Sequence, residues 1–281
     1  MSSPGIPAPF AELFCMSEPF LFEFVISIEL IVFIRQYTTG QMKLANNKIL
    51  ITGGATGIGL GLTERFIKEG NTVIICGRRE EALKEAAGKF PGVITKTCDL
   101  SNETERIALY NWISENHSDL NVLVNNAGIQ YWMNISDSGF YKKAEEEIET
   151  NLLAPIHLTT LFTNLKSLNT IVNVTSGLAF VPLSRVPVYC ATKAFMRSFT
   201  LSLRHMLKST KIEVIEMIPP ALNTDLGAKG IHDGHPAVSE FVESVFQQMK
   251  EGKTELTFGT SESRARANND TIAEYFSRMN P

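Results

Sequence analysis

From Lys48 onward, apolar runs of strand length alternate with longer stretches in which apolar residues recur every three or four positions. The runs Ile49–Thr52, Thr72–Cys76, Val93–Thr97, Val122–Asn125, Thr170–Thr175 and Glu213–Ile218 are rich in Val, Ile and Leu. Strands buried on both faces read this way, because neither face needs polar residues. Helical periodicity falls between them, near 58–69, 80–89, 103–116, 139–165 and 188–208. The alternation predicts an α/β fold, a doubly wound parallel sheet covered by helices on both faces. No linker divides it, so a single domain is expected. After Ile218 the pattern loosens. Residues 221–235 are rich in Gly, Ala and His and read as a mobile loop, followed by a helix near 237–250, a short strand at Glu255–Phe258 and a helical tail.

The first 41 residues do not share this pattern. They hold one basic residue, Arg35, beside Glu12, Glu18, Glu23 and Glu29. The apolar segment 20–34 is too short and too charged for a comfortable membrane span, and a signal peptide would need a basic start and a small-residue cleavage site. The segment reads as an atypical extension, non-native or translated from upstream, with membrane contact through 20–34 as the lesser alternative. Met42-Lys43-Leu44 looks like a natural beginning, leaving 42–281 as the domain proper.

Composition narrows the classes further. A 281-residue chain can bury a sizeable core, and 44% hydrophobic with 20% charged residues is ordinary for a soluble globular protein. A net charge of −4 without a dense Lys/Arg cluster argues against a nucleic-acid surface. Cys15, Cys76, Cys98 and Cys190 lack C-x-x-C pairing or metal-ligand spacing, so reduced thiols in the cytoplasm are expected.

Two regions carry candidate chemistry. The first strand runs into Thr52-Gly53-Gly54-Ala55-Thr56-Gly57-Ile58-Gly59 and then an amphipathic helix. Glycines 53, 57 and 59 let the backbone turn tightly and approach a ligand, and the helix N-terminus offers free N–H groups to a pyrophosphate. A plain turn between strand and helix would not need three glycines so spaced. The second strand ends at Cys76-Gly77-Arg78-Arg79, with no acid to accept from ribose hydroxyls. Guanidinium groups suit a 2′-phosphate, so NADP(H) is favoured over NAD(H), although Arg79-Glu80-Glu81 also reads as the start of a solvated helix.

The other region is Val188-Tyr189-Cys190-Ala191-Thr192-Lys193, with Ser176 thirteen positions before Tyr189. Tyr189 and Lys193 are one helical turn apart on one face. A neighbouring ammonium favours the phenolate, which predicts a phenol pKa lowered toward neutrality and a proton donor or acceptor for a carbonyl or alcohol oxygen. Ser176, at a strand end, is placed to hold the same oxygen.

With these residues in view, the chain resembles the short-chain dehydrogenase/reductase family in its compact single-domain branch, over residues 45 to about 225. The T-G-x-x-x-G-x-G pattern is Thr52 to Gly59, the N-N-A-G motif is Asn125 to Gly128, and Asn151, Ser176, Tyr189 and Lys193 fall at family spacing. The resemblance implies a Rossmann-like fold and an NADP(H)-dependent oxidoreductase acting on a small carbonyl or alcohol. It implies cofactor contacts from Thr52, Gly53, Thr56, Gly57, Ile58, Gly59, Arg78 and Arg79. Further contacts are implied from Asp99, Leu100, Asn126, Ala127, Gly128, Tyr189, Lys193, Pro219, Leu222 and Thr224. Among the catalytic residues it implies Tyr189 as acid/base and Lys193 as its electrostatic partner on the nicotinamide ribose. Ser176 would orient the carbonyl, and Asn151 would hold a relay water. It also implies a homodimer or homotetramer built through the helices near 139–165 and 188–208. A non-catalytic NADP(H)-binding regulator or scaffold of the same fold is the alternative.

One departure stands out. Pro219-Pro220 replaces the family's usual Pro-Gly, so the backbone beside the nicotinamide loses conformations that glycine allows. In this the chain is similar to a smaller bacterial subgroup associated with D-alanylation of teichoic acids. Other residues carry less. Cys190 lacks a His–acid pair, and His117, His157, His205, His232 and His235 form no metal-binding motif, so no metal site is expected. Glu145-Glu146-Glu147 reads as a solvated helix face, while Trp132, Met133, Phe180 and Leu183 read equally as substrate-pocket lining or packing.

Overall fold

The computed structural model describes residues 42–281, which form one compact unit. The expectations for 1–41, including contact of 20–34 with a membrane, lie outside the described residues. Seven strands run parallel: β1 (Lys48–Thr52), β2 (Thr72–Gly77), β3 (Ile94–Thr97), β4 (Val122–Asn125), β5 (Thr170–Val174), β6 (Glu213–Ile218) and β7 (Glu255–Thr257). Their order across the sheet is β3-β2-β1-β4-β5-β6-β7. The chain winds outward one way from β1 and returns to pair β4 on its other side, Leu50 opposite Leu123. That reversal opens a crevice at the carboxyl ends of β1 and β4, where ligands bind in such sheets.

Helices cover both faces: α1 (Gly57–Lys68), α2 (Glu80–Lys89), α3 (Glu103–Asn116), α4 (Phe140–Ile148), α5 (Ala154–Phe162), α6 (Pro187–Met206) and α7 (Val238–Lys250). Two further helices, α8 (Thr260–Ala265) and α9 (Asn269–Met279), form the tail. Side chains alternate across each strand. Ile49, Ile51, Val73 and Ile75 pack with Leu62, Phe66, Phe241 and Phe246 of α1 and α7. Leu50, Ile74, Leu123 and Ile171 pack on the other face with Leu109, Leu158, Phe162 and Leu203 of α3, α5 and α6. Each such side chain is essentially shielded from water, and its burial contributes about 1.5–3 kcal/mol. Local signals set helix ends. The Asn102 side chain caps α3 by accepting from the Thr104 and Glu105 N–H groups, and Pro187 opens α6, where no N–H is required.

The helix expected over 139–165 is not continuous. Between α4 and α5 the segment Glu149–Leu153 is a π-helical turn, with the Ala154 N–H bonded to the Glu149 carbonyl five residues back. Pro155 has no N–H to return to Asn151, so the four-residue ladder cannot run through this point. No helix among the described residues is long and apolar enough to cross a membrane. Residues 221–235 contain neither helix nor strand. They are tied by the Asn223 N–H to the Pro236 carbonyl (2.9 Å) and by His232 Nδ1 against the Thr224 carbonyl (3.2 Å).

Candidate active site

A cavity of about 740 Å³ opens at the carboxyl ends of β1, β2, β4 and β5. Its floor is the glycine loop. Gly53 and Gly57 adopt φ of 64° and 54°, a region that strains residues with a Cβ, and both border the cavity with Thr56 and Ile58. α1 starts there without a side-chain cap and without an acid in its first turn. Its free N–H groups and positive dipole end therefore face the cavity uncompensated, as a pyrophosphate requires. The residues present fit a dinucleotide.

Other predicted contacts border the same space: Arg78, Arg79, Asp99, Leu100, Asn126, Ala127, Gly128, Pro219, Thr224, Tyr189 and Lys193. Arg79 donates to the Thr56 hydroxyl at 3.2 Å, bringing a guanidinium to the rim of the glycine loop. The Asp99 carboxylate holds its own turn, accepting from the Ser101 N–H (3.0 Å) and hydroxyl (2.8 Å).

Three residues expected at the cofactor lie elsewhere. Thr52 sits beneath the cradle, its hydroxyl accepting from the Asn126 and Ala127 N–H groups at 2.9 and 3.0 Å, so it props the Asn-Asn-Ala-Gly turn. Gly59 is a packing glycine. A Cβ there would collide with the Gly53 carbonyl and lie 2.6 Å from Asn126 Nδ2. The Leu222 side chain belongs to the hydrophobic core, buried between the exposed residues Ala221 and Asn223, of which Asn223 borders the cavity.

The catalytic candidates converge where β5 meets α6. Tyr189 and Lys193 both border the cavity, and the Lys193 ammonium stands 5.5 Å from the centre of the Tyr189 ring. The Ser176 hydroxyl accepts from the Leu178 N–H (3.1 Å), which fixes its rotamer beside the Tyr189 phenol. Asn151 lies in the π turn, its amide bracketing the Ile129 backbone with bonds of 2.9 and 2.8 Å. A separate cavity of about 10 Å³, near the least space that holds one water, is bordered by Asn151, Thr150, Val174 and Lys193.

The electrostatics correct one expectation. The Tyr189 phenol is not drawn toward neutrality; burial pushes its pKa up, opposed by the neighbouring Ser176 hydroxyl. Lys193 donates to the Val174 carbonyl at 2.9 Å, and its own burial lowers its pKa to about 8. Desolvation acts on both groups here, a cost that helical spacing alone does not reveal.

Several bordering residues carry no motif: Gln130, Tyr131, Asn223, Asp225 and Leu226 lie on loops that periodicity cannot place. Trp132 is partly exposed and Met133 buried, and neither they nor Phe180 and Leu183 border the large cavity. Glu147, expected on a solvated face, is fully buried. Its Oε1 accepts from the Tyr131 N–H at 2.5 Å while its Oε2 has no partner, and burial lifts its pKa to about 7. Cys190 is buried with its sulfur against Leu183, and burial pushes its pKa up, the opposite of an activated thiol. No group of metal-ligating side chains occurs among the described residues.

This fold and this constellation are those of a nucleotide-dependent oxidoreductase. The short chain dehydrogenase family model matches residues 47–233, and the chain belongs to that family. It is 46% identical over 253 residues to an uncharacterized oxidoreductase, DltE, of Bacillus subtilis strain 168, covering 85% of this chain and 98% of that protein. The expected subgroup is therefore met. A serine 3-dehydrogenase of Agrobacterium fabrum strain C58 is 32% identical over 183 residues, covering 63% of this chain and 72% of that one. Among solved structures, a short chain dehydrogenase from Burkholderia cenocepacia J2315, in complex with NADP, superposes with a TM-score of 0.74 at 23% identity. It covers 85% of this chain and 99% of that one, a likeness of fold.

Proposed function

We propose that the protein is an NADP(H)-dependent reductase or dehydrogenase that interconverts a small carbonyl and its alcohol, with Tyr189 as the acid/base. The observation that carries the reading is the buried pair Tyr189 and Lys193, with Ser176 beside the phenol, on the wall of a cavity built for a dinucleotide. The bound nicotinamide supplies or accepts the hydride. Ser176 orients the substrate oxygen and offers it a second hydrogen bond as charge develops. Tyr189, held protonated by its burial, gives that oxygen its proton in reduction and takes it back in oxidation. Lys193 is charged below about pH 8 and steadies the developing phenolate. Asn151, Thr150 and Lys193 enclose the space for a single water, through which the proton on Tyr189 is replenished.

Arg78 and Arg79 support NADP(H) over NAD(H), since both border the adenosine end of the cavity and no acid replaces them at the end of β2. Relatives at 31% identity are named as NADP-dependent 3-hydroxy acid dehydrogenases, in keeping with that choice. The test is oxidation of NADPH and of NADH across ketones, aldehydes and oxo acids, by wild type and Tyr189→Phe. Turnover with NADPH that falls about 10³-fold or more in Tyr189→Phe is expected, with NADPH binding retained. Tight NADPH binding with no turnover of any carbonyl would favour the regulator instead.

A further inference from the structure

Arg264 is the one partly buried arginine among the described residues whose guanidinium meets no acceptor. Arg65 pairs with Glu69 and Glu243. Arg106 meets Glu149 and the Leu100 carbonyl, and Arg197 meets Glu216 and Glu255. Arg204 donates to the Val214 and Thr254 carbonyls. Arg264 has neither ion pair nor side-chain hydrogen bond. The ionisable groups that act on it are the Cys190 thiol, the Tyr275 phenol and the Arg278 guanidinium, none of them a carboxylate. Withdrawing a cation from water without a partner is unfavourable, and here burial lowers the Arg264 pKa.

Its position says which ligand would complete it. α8 is pinned at the end of β6 by the Ser261 hydroxyl, which donates to the Ile218 carbonyl, and it packs on the turn that follows Ser176. A Cβ on Gly177 would lie 3.2 Å from Ser261 Cα and 3.5 Å from Arg264 Cδ. The stem of Arg264 thus passes the residue next to Ser176, and its charge reaches Cys190, the residue after Tyr189. The tail behind it is clamped to the 177–187 loop by Asn280, which accepts from the Ser184 N–H (2.6 Å) and donates to the Pro182 carbonyl (3.1 Å). A single guanidinium offers two parallel donors, the complement of one carboxylate.

We propose that Arg264 is a specificity-determining residue that receives a substrate carboxylate, so that the carbonyl held at Ser176 and Tyr189 belongs to an oxo acid and the product is a hydroxy acid. This rests on the oxidoreductase reading above, and the experiment separates the two. NADPH oxidation is compared for 2-oxobutanoate and 3-oxobutanoate against their methyl esters, by wild type, Arg264→Lys and Arg264→Met. Wild type is expected to prefer one of the acids over its ester by about 100-fold in kcat/KM. Arg264→Met lowers that ratio mainly through KM, and Arg264→Lys restores part of it. Thermal melting with NADP+ present gives a readout that needs no turnover. The preferred acid raises Tm in wild type and not in Arg264→Met, and Arg264→Met alone melts no lower than wild type, since it removes an unpaired charge. Equal handling of acids and esters, without an acid-induced rise in Tm, overturns the carboxylate subsite even if the esters are reduced. A lower Tm for Arg264→Met with an unchanged acid-to-ester ratio marks the residue as structural and overturns it equally. A rise in Tm that depends on Arg264, with no reduction of any of the four compounds, upholds the subsite and overturns the reductase.

Discussion

Glu147 shows how a single residue departs from its surroundings in sequence. It sits in a run of three glutamates, yet helix geometry turns Glu145 and Glu146 outward and Glu147 into the protein, under the backbone of Tyr131. Glu146 closes over it by accepting from the Tyr131 hydroxyl at 2.7 Å. The groups that face Glu147 are Tyr131 from the loop after β4 and Tyr189 with Cys190 from α6, all neutral in their usual states. Its folded pKa near 7 exceeds the ordinary 4.5, so the folded state binds the extra proton. Its contribution to stability is therefore fully present below about pH 4.5 and is lost as pH rises through 7. A shift of this size corresponds to about 3 kcal/mol. Urea denaturation at pH 5 and pH 8 checks this: Glu147→Gln should flatten the pH dependence and be the more stable protein at pH 8. Equal slopes for the two proteins would show that Glu147 is ionised in both states.

The elements were legible where burial sets a period, and illegible where distant residues meet. β1, β2 and β4 could be read because strands buried on both faces leave continuous Val/Ile/Leu runs, and the glycine loop because φ above 0° demands its residue type. The signal for the π turn was Pro155, four residues after Asn151, but the apolar pattern runs on through it and hides the break. The place of Leu222 in its motif points to the cofactor, whereas its side chain packs in the core, which no local pattern reveals. The network joining β5, β6 and α6 leaves no local trace at all. Arg197, one turn beyond Lys193, bonds the fully buried Glu216, whose other oxygen accepts from the Thr175 hydroxyl at 2.7 Å. Thr175 precedes Ser176, so one ion pair ties the strand end bearing the serine to the helix bearing Tyr189 and Lys193. Arg197→Met strands a buried carboxylate and should cost about 3–5 kcal/mol in chemical denaturation. The double variant Arg197→Met with Glu216→Leu should regain much of that stability while kcat stays below wild type, because Thr175 has lost its shorter acceptor and keeps only the Met217 carbonyl at 3.3 Å. Recovery of kcat together with stability would show that the network holds the fold and not the serine.

At the scale of the molecule, the helices that hold the site also present apolar groups to water. Ile148 on α4, Leu153 in the π turn, and Phe195 and Leu201 on α6 are each 40–47% exposed, although the same segments bury residues on their other faces. Scattered apolar residues are normal on a surface, but four on two helices and the π turn, three elements in mutual contact, are of the kind that marks association. We propose that a second copy of the chain covers them, giving a homodimer or a tetramer built from such dimers. Closed symmetry makes such a face self-complementary, so one substitution acts twice at each interface. Light scattering at micromolar concentration should give two or four times the mass of one chain, and Phe195→Glu should lower it to one. The consequence reaches the chemistry, since Asn151 and Lys193 lie on the inner faces of these same segments. A monomeric Phe195→Glu protein should melt lower than wild type and lose turnover more than it loses NADPH binding, whose glycine loop hangs from β1 and not from these segments. A wild-type mass of one chain would overturn the assembly and leave the apolar patch without a partner of its own kind.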